Sequence, residues 1–145
     1  MKQNKQKSIG RLISMLHRAS AVFFQKEAKQ MELSQGQFRI LNFIMHHHGS
    51  SQNKIQDYFN LDRGTVSVVI KSLEKNGFIT RKADEKDKRA TCIFPTKKGE
   101  ETYPAIKEVL NQWNHNLLEG FSPGEKLLAY EFLERMLNNI NPIEE

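Results

Sequence analysis

Residues Asp62–Gly99 read DRGTVSVVIKSLEKNGFITRKADEKDKRATCIFPTKKG. Asp62 is a good helix N-cap, and Gly77 is a good helix stop. The helix between them has a small, polar outer face. A strand follows over 78–83, then the charged segment DEKDKR, then a second strand over 90–95. That order predicts a winged helix-turn-helix, with one helix for a major groove and one hairpin for the flanking backbone and minor groove.

Helical spacing divides the residues of the Asp62–Gly77 helix. Val66, Val69, Ile70 and Leu73 fall on one side and are the expected core. Gly64, Val68, Lys71 and Lys75 fall opposite, with Ser67 and Ser72 at the margins. Little bulk permits close approach, hydroxyls and a methyl suit base edges, and lysines suit phosphates. Arg63, Thr65, Ser67, Val68 and Lys71 are therefore the candidate major-groove residues. Arg63, in the first turn, reaches a guanine edge or a phosphate.

In the hairpin, Arg81, Lys82, Lys86, Lys88 and Arg89 crowd the strands and tip, and Lys97 and Lys98 the exit. The tip alternates in sign, so Asp84 and Asp87 are expected to hold Lys88 and Arg89 by charge-assisted bonds. Arg89 is the candidate minor-groove finger, with Lys82 and Lys88 beside it and Asp87 orienting it.

Upstream, Ser51 caps a short helix in which Ile55, Tyr58 and Phe59 are expected to face inward, and Asn60-Leu61 make the turn. Ser51, Gln52 and Asn53, at the start of that helix, are candidate phosphate contacts. Before it, Ser34 and Gln37 form a capping box for a helix burying Phe38, Leu41, Ile44 and Met45, stopped by Gly49. The first helix carries Ile9, Leu12, Ile13, Leu16, Ala19, Ser20, Phe23 and Phe24 at helical spacing, a stripe suited to a partner. A turn is expected at Met31–Leu33.

The C-terminal third repeats the theme. Tyr103, Ile106, Leu110, Trp113 and Leu117 recur at helical spacing, with Pro104 expected to kink or break the first turns. Ser122-Pro123-Gly124-Glu125 opens a last helix that carries Leu127, Leu128, Phe132, Leu133, Met136, Leu137 and Ile140. A small single domain would not bury these faces, whereas a symmetric partner would. The expected fold is mainly α with a small β-hairpin wing. It divides into an N-terminal arm and dimerisation helix (1–33), a DNA-binding lobe (34–95) and C-terminal dimerisation helices (96–145).

The 145 residues carry a formal charge of +5, which suggests a polyanionic partner. Lys2, Lys5 and Lys7 form a second basic cluster, expected to be a frayed arm. One cysteine, Cys92, excludes an intrachain disulfide framework and fits a reducing, cytoplasmic setting. No apolar stretch follows the basic N-terminus, so neither a secretory signal nor a membrane partner is expected.

The segments DRGTVSVVIKSLEKNGFI, DEKDKRA and PTKKGEE, with their flanking helices, resemble the MarR family of bacterial transcription regulators. The resemblance covers nearly all of the chain. It implies a dimer whose terminal helices interlock, and which represses genes until a small molecule binds. It also implies a ligand cavity between the first two helices. His17 and Arg39 lie beside those helices' apolar stripes, with Ala21 and Phe43 as wall, and an aromatic or otherwise apolar anion would suit them. Two positions depart from the family: Val68 stands where Arg is frequent, and Lys71 where an acidic residue is frequent. Base preference is therefore not transferable.

Other chemistry is thinly represented. The run His46–His48 leaves open a metal-responsive regulator, with His115 as a distant partner. Adjacent helical residues point about 100° apart, however, and no HxxxH, CxxC or HExxH pattern occurs. Cys92 in a wing strand reads as a small hydrophobe rather than a thiol sensor. No nucleophile–base pair or carboxylate cluster suggests an enzyme, and no cofactor or metal is expected. A winged helix used only for protein contact remains an alternative that would not need a basic wing.

Overall fold

A computed structural model describes residues 8–140. The basic cluster Lys2, Lys5 and Lys7 lies outside them. The elements are α1 (Ile9–Gln30), α2 (Gln35–His46), β1 (Ser50–Ser51), α3 (Gln52–Phe59), α4 (Arg63–Lys75), β2 (Ile79–Ala83), β3 (Thr91–Pro95), α5 (Lys97–Leu117) and α6 (Pro123–Ile140). No helix among the described residues is long and apolar enough to cross a membrane.

Helix starts are set by side-chain caps. Ser34, Ser51 and Asp62 each accept from the backbone N–H three residues on. Gln37 returns the bond to Ser34, completing the predicted capping box. Asn60 ends α3 in the left-handed region, and Gly77 (φ +80°) leads the chain out of α4 into β2. At the last helix, the Glu125 carboxylate accepts from the Ser122 N–H at 2.8 Å.

The wing is one sheet in the order β1-β3-β2, antiparallel throughout. Its hairpin pairs Ile79 with Pro95 and Ala83 with Thr91. The third strand is a finding that sequence spacing did not predict. Ser50 and Ser51 pair with Ile93 and Cys92, and the Gly49 N–H donates to the Ile93 carbonyl. Two residues are too few for a period-2 pattern, and polar serines give no strand signal.

The described residues form two compact units, dividing after Leu110, within α5. In the first, α2 is the central helix, touching α1, α4 and β3. Its burial exceeds the expected stripe: Ile40 and Phe43 are buried with Phe38, Leu41 and Ile44, whereas Met45 is half-buried. Ile55, Val66, Ile70, Leu73, Ile79, Ile93 and Ile106 complete the core.

Two expectations need correction. Tyr58 does not face inward. It is 66% exposed, with its ring laid over Phe43 at 4.6 Å. Pro104 does not break its helix; α5 runs unbroken through it. Pro104 is exposed and leaves the carbonyl of Glu100 without its helical N–H donor.

Candidate nucleic-acid interface

α4 presents the face that the sequence predicts. Val66, Ile70 and Leu73 are fully buried, while Arg63, Gly64, Thr65, Val68 and Lys71 are exposed. Val68 is 68% exposed, and no core contact explains its choice. Ser67 is half-buried at the margin. The Thr65 hydroxyl donates to Asp62 Oδ2 at 2.6 Å, so Thr65 offers a groove its methyl group and an oxygen lone pair.

A cleft runs between the start of α3, the start of α4 and the wing. It has a volume of about 420 Å³ and brings together Ser51, Gln52, Asn53, Arg63 and Arg89 from the predicted set. Arg81, Thr91 and Ile93 also line it, and sequence reasoning had not placed Thr91 or Ile93 there. Lys82, Lys88 and Lys71 are exposed but do not line the cleft. Lys82 instead holds its ammonium 5.4 Å from the Phe94 ring centre. Gln52 Nε2 donates to the Arg63 carbonyl at 3.4 Å, and the Ser51 hydroxyl oxygen accepts from the Lys54 N–H. Gln52 therefore also ties the starts of α3 and α4 together, while Ser51 caps α3 itself.

The wing tip is organised differently from the expectation. Asp84 and Asp87 do not bridge to Lys88 or Arg89 side chains. Asp84 Oδ1 accepts from the Lys86 N–H at 2.8 Å, and Asp87 Oδ1 from the Arg89 N–H at 3.0 Å. A short carboxylate reaches the backbone two residues on more readily than a long cationic head. Asp87 thus shapes the chain that carries Arg89, leaving the guanidinium free of ion pairs among the described residues. The Asp84 N–H donates to the Ala90 carbonyl and closes the tip.

Cys92 is half-buried, with Sγ 3.8 Å from Asp84 Oδ2. Burial first, then the neighbouring carboxylate, push its thiol pKa up. A reactive thiolate needs the opposite surroundings.

A second cavity, of about 580 Å³, lies against α2 in the first unit. All four residues predicted for a ligand, His17, Ala21, Arg39 and Phe43, line it, joined by Phe24, Asn42, His46, His47, Tyr58 and Phe59. The Arg39 guanidinium lies 5.1 Å from the Phe59 ring centre. His47 stacks on Phe43 at 4.2 Å, and its Nδ1 is 3.0 Å from the Phe43 carbonyl oxygen. The buried amide oxygen of Asn42 has no hydrogen-bond partner among the described residues. His46 Nε2 is 2.9 Å from the Tyr103 hydroxyl. His46 and His47 are thus engaged with α5 and with α2's own backbone. Among the described residues no group of three or more His, Cys, Asp or Glu side chains is placed to hold a metal.

Comparison with known proteins agrees with this architecture. Residues 33–91 match the MarR family model. The HTH-type transcriptional regulator YybA of Bacillus subtilis is 34% identical over 130 residues, covering 90% of this chain and 87% of the relative. A MarR transcriptional regulator from Methanosarcina mazei superimposes with a TM-score of 0.86 at 30% identity, over 94% of this chain and 98% of that one. A MarR family regulator from Listeria monocytogenes, solved in complex with a 26mer DNA, gives a TM-score of 0.85 at 36% identity, over 93% and 90%. With its reading helix, its wing and these likenesses across nine-tenths of its length, the chain belongs to the MarR family of winged helix-turn-helix, DNA-binding transcription regulators.

Proposed function

We propose that this regulator is a cytoplasmic homodimeric repressor that covers a pseudo-palindromic operator and leaves it when an anionic, aromatic small molecule binds. The observation that carries the DNA reading is the exposed face of α4 beside the cationic cleft. Arg63, Thr65, Ser67, Val68 and Lys71 meet base edges and nearby phosphates. Ser51, Gln52 and Asn53 meet the backbone, and Arg89, with Lys82 and Lys88, meets the flank. It acts by binding, without catalysis.

Dimerisation is supported by apolar surface in each unit. Ile9, Leu12, Ile13 and Leu16 on α1 are exposed. So are Leu127, Phe132, Leu133, Leu137 and Ile140 on α6, a helix with no buried residue. Monomers rarely leave such contiguous surfaces in water.

The cavity against α2 suits the effector. Its volume falls in the range of small-molecule sites. Phe24, Phe43 and Phe59 give apolar wall, while Arg39 and His17 give a counter-charge and a hydrogen-bond donor. Binding there releases DNA only if the ligand prefers a dimer whose reading helices are wrongly spaced. The test is operator release by aromatic carboxylates such as salicylate, in wild type and Arg39→Ala. The account predicts release from wild type at lower acid concentration. Equal sensitivity removes Arg39 from the site, and no release by any such acid removes this ligand class.

A further inference from the structure

One ion pair among the described residues joins the reading helix to the wing. Arg81 Nε donates to Glu74 Oε2 at 3.0 Å, and Nη2 donates to Oε1 at 2.8 Å. The other two, Lys97–Glu101 and Arg135–Glu131, lie within single helices. Glu74 belongs to the last turn of α4 and Arg81 to the middle of β2, on either side of the turn at Asn76-Gly77. Arg81 is partly shielded, and the hydrogen bonds from its guanidinium hold the Glu74 carboxyl below the ordinary carboxylate range.

Arg81 also lines the cationic cleft with Arg63 and Arg89. The three arginines differ in what engages them. No ion pair among the described residues involves Arg63 or Arg89, whereas the Arg81 fork faces a carboxylate of matching geometry. A planar two-point contact fixes direction as well as distance, which a lysine would not do. Across a turn whose glycine leaves the backbone permissive, such a contact sets the angle between strand and helix.

We propose that Glu74 and Arg81 are positioning residues for DNA binding: their two-point contact fixes the wing relative to α4, so that Arg89 reaches its flank while α4 occupies the groove. The proposal rests on the placement of Arg89 given above. It predicts the reverse of a simple charge count. Glu74→Gln removes a negative charge from a lobe that faces phosphates, so charge alone would tighten binding. Loss of positioning weakens it.

The experiment measures affinity of the full chain for a selected operator by fluorescence anisotropy. The variants are Glu74→Gln, Arg81→Lys, the exchange Glu74→Arg with Arg81→Glu, and Arg89→Ala alone and combined with Glu74→Gln. Both single positioning variants are expected to bind roughly three- to tenfold more weakly, and the exchange to recover most of the loss. The penalty of Arg89→Ala is expected to shrink in the Glu74→Gln background, which a merely structural pair would not cause. Melting temperature, followed in parallel, is expected to stay near wild type, because a half-exposed ion pair adds little stability. Equal or tighter binding by Glu74→Gln overturns the proposal, as does an undiminished Arg89→Ala penalty. An Arg89→Ala change with no penalty in wild type overturns the minor-groove reading itself, and a folded wild type that binds no DNA overturns both.

Discussion

Asp87 carries negative charge at the tip of a wing meant for phosphates, and its backbone bond explains why. The carboxylate holds the Arg89 N–H at 3.0 Å and so sets the bend from which the guanidinium extends. Arg89→Ala is expected to cost roughly 1–3 kcal/mol of DNA binding, the scale of a charge-assisted contact. Asp87→Ala is expected to weaken binding as well, measured on the same operator; tighter binding would show that repulsion outweighs shaping. Asp62 works by the same chemistry on folding. The Thr65 hydroxyl and then its backbone N–H hold the Asp62 carboxyl below its ordinary pKa of about 3.9. The ionised form is therefore favoured in the folded state. Its stabilisation is complete above that ordinary value and is lost as pH falls through the lowered folded-state value. Asp62→Ala is expected to melt below wild type at neutral pH, with the gap closing in acid below the ordinary value. A gap independent of pH would contradict the capping role.

At the level of elements, the junction of the wing with α5 leaves no room for a side chain at Gly99. A Cβ at Gly99 would collide with the Phe78 carbonyl oxygen, a backbone atom that cannot swing aside. Around it, the Thr96 hydroxyl donates to the Gly77 carbonyl, the Thr96 N–H to Phe78 O, and Lys98 Nζ to Asn76 O at 2.7 Å. Gly99→Ala is expected to lower stability by about 1–3 kcal/mol in urea denaturation, the scale of overpacking, because the first turn of α5 must move away from the Phe78 carbonyl. An unchanged midpoint would show that the junction yields. The helices, their caps and the hairpin were legible because each leaves a local mark: Ser34 with Gln37, Asp62 ahead of its helix, Gly77 after Lys75. Strand β1 was not legible, since its pairing with Ile93 and Cys92 is set some forty residues away in sequence. Tyr58 was misread because helical spacing cannot tell a buried ring from one laid over Phe43 at a cavity rim. The link from Glu74 to Arg81 escaped for the same reason, as a contact made across a turn rather than along one element.

For the whole molecule, the cavity lined by His17, Ala21, Arg39 and Phe43 came from family likeness, with His17 and Arg39 picked out by their place beside the apolar stripes, whereas the reading face of α4 came from the residues alone. Both bear on the central claim, that two copies of this chain read an inverted repeat through α4. Selection of bound sequences from a random DNA pool tests it most directly. The account predicts enrichment of an inverted repeat whose half-site centres lie about 34 Å apart, bound by a dimer whose affinity falls steeply with salt. Enrichment of a single asymmetric half-site bound by a monomer, or binding indifferent to salt, would contradict it.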